Sequence, residues 1–469
     1  MPLPSPLRAI LDAVPRRYRL TGASATSAAG SQAAALAWAI ERLQVTLAGG
    51  DRPGLPLRDA FVAALDGLIR EALRPRDGDP AFQAAVLAYR LPVVREYLAL
   101  DGGATADRRK VQAVVDALAH PAKPARLAPG PARTRLARLH AATMAGDWLQ
   151  VAHLAQALPV QPEVAGVDKL ASALRALVDD PALTRLCRIE VLTRDPAVCR
   201  YRAMRARLGP RAGSAEACAQ ARLARQRGIA VETQAAHALR AVAHYLDRVD
   251  AAATAGSCPR YQVVTSLRVP ASLAAAADRA KTEWDAVLLR RADPTPADAM
   301  PLWDICLVIE AKASVEAATT DLPRLLRGLR LLAGAQPDQA YAFSTQQGMI
   351  QVRGTSLAAL PVTEAALAHQ VLYCCDAPAD IPQAGLHAAS RMQLLSAPTC
   401  LAYAAALSEG QAVDQGALAP LWQALQREAR WQPVLNLAAM RQLARSLMVH
   451  PHDLQATVAQ LSTPAGASA

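Results

Sequence analysis

From about residue 261 the apolar residues of this chain stop recurring every three or four positions and gather into short, nearly continuous runs. Runs of that length, bounded by turn residues, mark buried strands. Three follow one another: Tyr261–Val269, Trp284–Leu289 and Ile305–Lys312. The stretch between the second and third holds Pro294, Pro296 and Pro301, residues without a backbone donor that suit a connection better than a central strand. Helical spacing precedes the runs over residues 228–247, returns over 321–333, and gives way to a fourth strand at Ala340–Ser344. A shorter run, Met349–Arg353, reads as an edge strand. The order helix, three strands, helix, strand calls for an α/β core built on a mixed sheet.

The rest of the 469 residues reads mainly as helix, too much chain for one core, since single cores rarely grow past about 250–300 residues. Leu57, Phe61, Leu65, Leu68 and Ile69 recur at helical spacing, and similar runs follow at 82–99 and 134–158. Ala145-Gly146-Asp147-Trp148 sits between two such runs, the pattern of a helical hairpin, although no repeat period emerges. Between Arg185 and Arg227 stand eleven arginines against three acids, much of the excess behind the formal net charge of +11. Such a segment attracts polyanions without reading their sequence; equally, it reads as a solvated helix face. The expected division is a helical region at 1–184, an arginine-rich helical or linker segment at 185–225, the α/β core at 226–360, and a mainly helical region at 361–469 with one strand at Val371–Cys375.

Three polar residues interrupt the apolar runs of the core. Asp285 begins one, in Glu283-Trp284-Asp285-Ala286-Val287, and Glu310 and Lys312 end another, in Val308-Ile309-Glu310-Ala311-Lys312. A strand turns successive side chains to opposite faces, so Glu310 and Lys312 share one. Charge at the end of such a run is costly without a partner or a task. The chain has only five lysines among its fifty-one basic residues, which makes Lys312 conspicuous. Glu232 lies on the preceding helix, in Gly228-x-x-x-Glu232.

With the element order, these words resemble the PD-(D/E)XK nuclease superfamily, in the manner of Holliday-junction resolvases and restriction-endonuclease-like enzymes. The resemblance covers residues 226–350, about a quarter of the chain, and Trp284 stands where the family name has proline. It implies a restriction-endonuclease-like core of order α-β-β-β-α-β, flanked by helical regions, that hydrolyses DNA phosphodiesters with Mg²⁺ or Mn²⁺. Asp285, Glu310, Lys312 and Glu232 would be catalytic, and Asp285, Glu310 and the Ala311 carbonyl would bind the metal. The residue types suit that chemistry. Phosphodiester hydrolysis needs an activated water and a stabilised extra negative charge, which a bound metal supplies. Magnesium takes one or two carboxylates and keeps several waters. Lys312 would orient the attacking water or meet the developing charge, and Glu232 would hold a second metal or a metal-bound water.

Other residues read more plainly. Asp304, at the entry to the third run, is a turn residue or a competing ligand; Arg324, Arg327 and Arg330 form a solvated face or touch phosphate; His237 and His244 share a helix face as packing or surface residues; and Cys374-Cys375 form a buried strand end. Eight cysteines without zinc-ligand spacing read as reduced thiols of a cytoplasmic protein. Arg16-Arg17-Tyr18-Arg19 superficially resembles an export signal, but Ser24, Thr26, Ser27 and Ser31 make the following stretch too polar. No apolar run reaches the roughly 20 residues of a membrane span. Two other functions fit: a nucleic-acid-binding module that has lost catalysis, and a scaffold whose helical regions recruit protein partners.

Overall fold

The computed structural model describes residues 4–19, 31–122, 130–165, 167–210, 213–254, 260–274, 279–292, 300–379 and 385–463. Its contacts divide the chain into two units, neither continuous in sequence. One comprises residues 1–61, 212–387 and 424–469, the other residues 62–211 and 388–423.

The first unit is mixed α/β. Its principal helices are α1 (Ser5–Ala13), α2 (Ala215–Thr254), α3 (Val315–Ala333), α4 (Leu437–Ser446) and α5 (Pro451–Ser462). Its strands are β1 (Tyr261–Arg268), β2 (Glu283–Arg291), β3 (Leu302–Ala311), β4 (Ala340–Thr345), β5 (Gly348–Arg353), β6 (Val371–Cys374) and β7 (Met448–Val449). They run in the order β2-β1-β4-β5-β3-β6-β7, and a further pairing of β2 with β3 closes five of them into a ring. The β1–β2, β2–β3 and β4–β5 pairs are antiparallel, whereas β3–β5, β3–β6 and β6–β7 are parallel. β3 changes neighbour along its length: Leu302 and Trp303 lie beside β5, and Val308–Ala311 beside β6.

Side-chain alternation gives the sheet two apolar faces. Leu307, Ile309 and Ala311 of β3 pack with α1, α2 and α5 through Leu7, Ile10, Leu239, Leu246 and Leu454. Ile305 and Val308 face α3 and α4, through Leu322, Leu325, Leu329 and Ala444. Tyr18 anchors the N-terminal segment by donating its hydroxyl to Cys375 O at 2.8 Å and Ala377 O at 2.6 Å.

The second unit is helical. Asp79 and Asp195 each accept two backbone N–H groups and Asp180 one, at the start of a helix whose next residue is Pro80, Pro196 or Pro181 respectively, a pairing of cap and pre-set φ that starts a helix sharply. The hairpin expected around 145–148 is present: Gly146 adopts a left-handed φ of 76° between Pro131–Ala145 and Trp148–Ala157, where Asp147 caps the second helix.

Several expectations need correction. The helix expected at 228–247 begins at Ala215, which puts Gly228 and Glu232 in its interior and not at its start. β5 is no edge, for it lies between β4 and β3. The region past 360 is divided, since β6, β7, α4 and α5 complete the α/β unit while residues 388–423 belong to the helical one. The arginine-rich stretch is likewise no separate segment. Arg185 and Arg188 form paired hydrogen bonds with Asp107 and Glu96, and Arg194 pairs with Glu190, all on the helical unit. Arg222, Arg225 and Arg227 lie on exposed turns of α2. Arg211, Pro294 and Pro296 fall outside the described residues.

Candidate functional site

At the C-terminal end of β3, where β6 replaces β5 as its neighbour, the strands assemble a buried charged cluster. Ala286 pairs with Ile309, so one step further along the ladder Asp285 stands abreast of Glu310. Asp285 Oδ2 accepts the Ala311 N–H at 2.8 Å, a side chain supplying an acceptor where the ladder ends. The Lys312 N–H is satisfied at 2.8 Å by Cys374 O of β6, which fixes the direction of the Glu310-Ala311-Lys312 backbone.

Glu310 has no exposed surface, and two ammonium groups approach it. Lys281 Nζ contacts Oε2, and Lys312 Nζ stands 3.4 Å from the same oxygen. Lys312 also reaches Asp321 Oδ2 of α3 at 3.2 Å, and the Tyr373 hydroxyl donates to that oxygen at 3.3 Å. Glu310 Oε1 is buried and has no hydrogen-bond partner among the described residues. Three carboxylates and two ammoniums thus meet at buried and half-buried positions, where charge interactions are stronger than in water.

Burial pushes the Glu310 carboxyl up to about 8, the Asp285 carboxylate adds to the shift, and Lys281 and Lys312 oppose it. Burial alone would lower the Lys312 pKa, but Glu310, Asp321 and Asp285 outweigh it and raise it. Lys312 is therefore a persistent cation, suited to orienting a water or meeting negative charge and unsuited to removing a proton at neutral pH.

Glu232 sits apart, on an exposed face of α2. Loss of hydration raises its pKa and the Asp285 charge adds to this, with Lys312 opposing, so it shares the electrostatic field of the cluster. Asp304 is neither a turn residue nor a ligand here: it lies within β3, buried, and Arg353 of β5 grips it with two hydrogen bonds, one of 2.8 Å. His237 and His244 are exposed. Arg324, Arg327 and Arg330 are also exposed, and Arg327 donates to Arg279 O.

Sequence reasoning missed Lys281 and Asp321. Asp321 looks like any helix acid. Lys281 had one faint signal, as one of just five lysines in the chain.

Among the described residues no group of three or more His, Cys, Asp or Glu side chains converges as a metal-binding set. Two carboxylates and a backbone carbonyl still meet the modest requirement of Mg²⁺. The unpartnered Glu310 Oε1 is an acceptor that a cation would satisfy. These residue types suit a hard divalent ion, which Asp285, Glu310 and the Ala311 carbonyl would hold. Compared with protein-family models, curated proteins and solved structures, the chain matches none of them.

Proposed function

We propose that the protein is a divalent-metal-dependent nuclease that hydrolyses DNA phosphodiester bonds, on a core of PD-(D/E)XK type. The observation that carries this reading is the meeting of Asp285, Glu310 and Lys312, from two strands, at one strand end. The helix, three strands, helix, strand order supports it, while the ring closed by β2 and β3 goes beyond that element order.

Asp285 and Glu310 would hold Mg²⁺ or Mn²⁺ with the Ala311 carbonyl. Bound there, the cation supplies Lewis acidity toward a water and a phosphate oxygen. Lys312, steadied by Asp321, keeps its ammonium beside Glu310, where it orients the attacking water and meets charge developing on the phosphate. Glu232 lends a further carboxylate from α2 to hold a water. The net charge of +11 draws a polyanion toward the protein, and the exposed Arg222, Arg225 and Arg227 lie on the same helix as Glu232. The helical unit would position substrate or recruit protein partners.

One observation favours a second reading. Lys281 already neutralises Glu310, as expected if these acids form only ion pairs in a catalytically silent binding scaffold. Supercoiled plasmid and single-stranded DNA incubated with the protein in Mg²⁺, Mn²⁺ or EDTA separate the two. Nuclease activity predicts metal-dependent cleavage that falls by about a hundredfold or more in Asp285→Ala and Lys312→Ala. Intact substrates under every condition, with gel-shift binding retained, favour the scaffold.

A further inference from the structure

Lys281 is 6 % exposed, and its placement is built with some care. Its backbone N–H donates to Arg324 O at 3.2 Å. The Arg327 guanidinium donates twice to Arg279 O, at 3.2 and 2.9 Å. Gly328 leaves out the side chain that would collide with this segment, since a Cβ there would lie 2.8 Å from Lys281 O and 2.9 Å from Lys281 Cβ. Three residues within five positions of α3 thus seat the chain so that the lysine projects into the cluster.

The contact it makes there is with Glu310 Oε2, the oxygen Lys312 also approaches, while Oε1 has no partner among the described residues. Once Glu310 is ionised, an ammonium satisfies its buried carboxylate in the way a metal would, but with one charge and no fixed coordination. A divalent cation taken up by Oε1 would bind the same carboxylate as that ammonium, and the two positive charges would repel across a poorly screened gap. We propose that Lys281 is a displaceable counter-ion: it holds the Glu310 carboxylate in place while no metal is bound and withdraws from Oε2 when a divalent cation binds Asp285 and Glu310. This inference rests on the metal-binding reading of those two acids. It explains why a fully buried glutamate stays in position without metal, and it makes the site selective for cations able to outcompete an ammonium.

The test is Mn²⁺ binding by calorimetry to the full chain and to its Lys281→Met and Lys281→Arg forms, with thermal unfolding in EDTA and in saturating Mn²⁺. Lys281→Met should bind Mn²⁺ about tenfold more tightly, because no resident charge has to leave. It should also melt below the wild type in EDTA, with the gap narrowing in Mn²⁺, while Lys281→Arg stays close to wild type. A folded Lys281→Met that binds Mn²⁺ equally or more weakly, beside a wild type that binds it, overturns the inference and leaves the metal site standing. No Mn²⁺ binding by any form removes the metal site and the inference together. Should Lys281→Met fail to fold, acetic anhydride labelling of the wild type decides: acetylation of Lys281, followed by peptide mass spectrometry, should quicken on adding Mn²⁺. Equal rates with and without the metal overturn the idea.

Discussion

Glu310 ties the stability of the site to pH. Burial, reinforced by Asp285 and opposed by Lys281 and Lys312, lifts its carboxyl from 4.5 to about 8. A carboxyl raised in the folded state binds its proton more tightly there than in the unfolded chain. Its contribution is therefore fully present below its ordinary pKa and is lost as pH rises through the folded one. In EDTA the wild type should lose stability between about pH 5 and pH 8 relative to Glu310→Gln, measured by urea denaturation across that range. Parallel profiles would show that Glu310 titrates normally. Metal binding needs the carboxylate, so Mn²⁺ affinity should rise over the same interval. Asp285, Glu310 and Lys312 were legible in the sequence because charge at the end of an apolar strand is conspicuous. Lys281 and Asp321 were not, since one lies in polar chain before a strand and the other on a helix, and only tertiary packing brings them to Glu310.

Elements are legible to the extent that they are buried. β1 to β4 appear as apolar runs, and the ends read from sequence fall close to the observed ones. α2 was read from 228 because its apolar stripe begins at Val231; the turns before it are exposed, with Leu223 and Ile229 outward, so periodicity detects only the packed half. β5 was read as an edge from a short run, yet a short strand can equally lie inside a ring between two others. Close approach between elements leaves a single residue as its trace. At Gly328 a Cβ would meet Lys281 O at 2.8 Å and the Trp284 ring at 3.1 Å, atoms of the packed core with little freedom to yield. Gly328→Ala should cost about 2 kcal/mol in urea denaturation and loosen the seat of Lys281. A loss under about 0.5 kcal/mol would mean that α3 shifts freely.

At the scale of the molecule, linear reading failed for a physical reason: the α/β unit is assembled from three stretches of chain. β6 covers the end of β3 that carries Glu310, and Leu7, Ile10 and Leu454 from α1 and α5 line one face of the sheet. No local pattern announces such partners, and Val371–Cys375 was their one visible trace. A fragment of residues 226–360 lacks all of them and should show no cooperative thermal transition by circular dichroism, whereas the full chain should; a cooperative melt of the fragment would show that the core is self-sufficient. The central claim concerns what Asp285, Glu310 and Lys312 do together. Its most direct test measures Mn²⁺ binding and plasmid cleavage on the same folded preparations of wild type, Asp285→Ala and Lys312→Ala. Wild type should bind and cleave, Asp285→Ala should lose both, and Lys312→Ala should keep the metal while losing cleavage. A wild type that neither binds Mn²⁺ nor cleaves, or an Asp285→Ala protein that still does both, would contradict it.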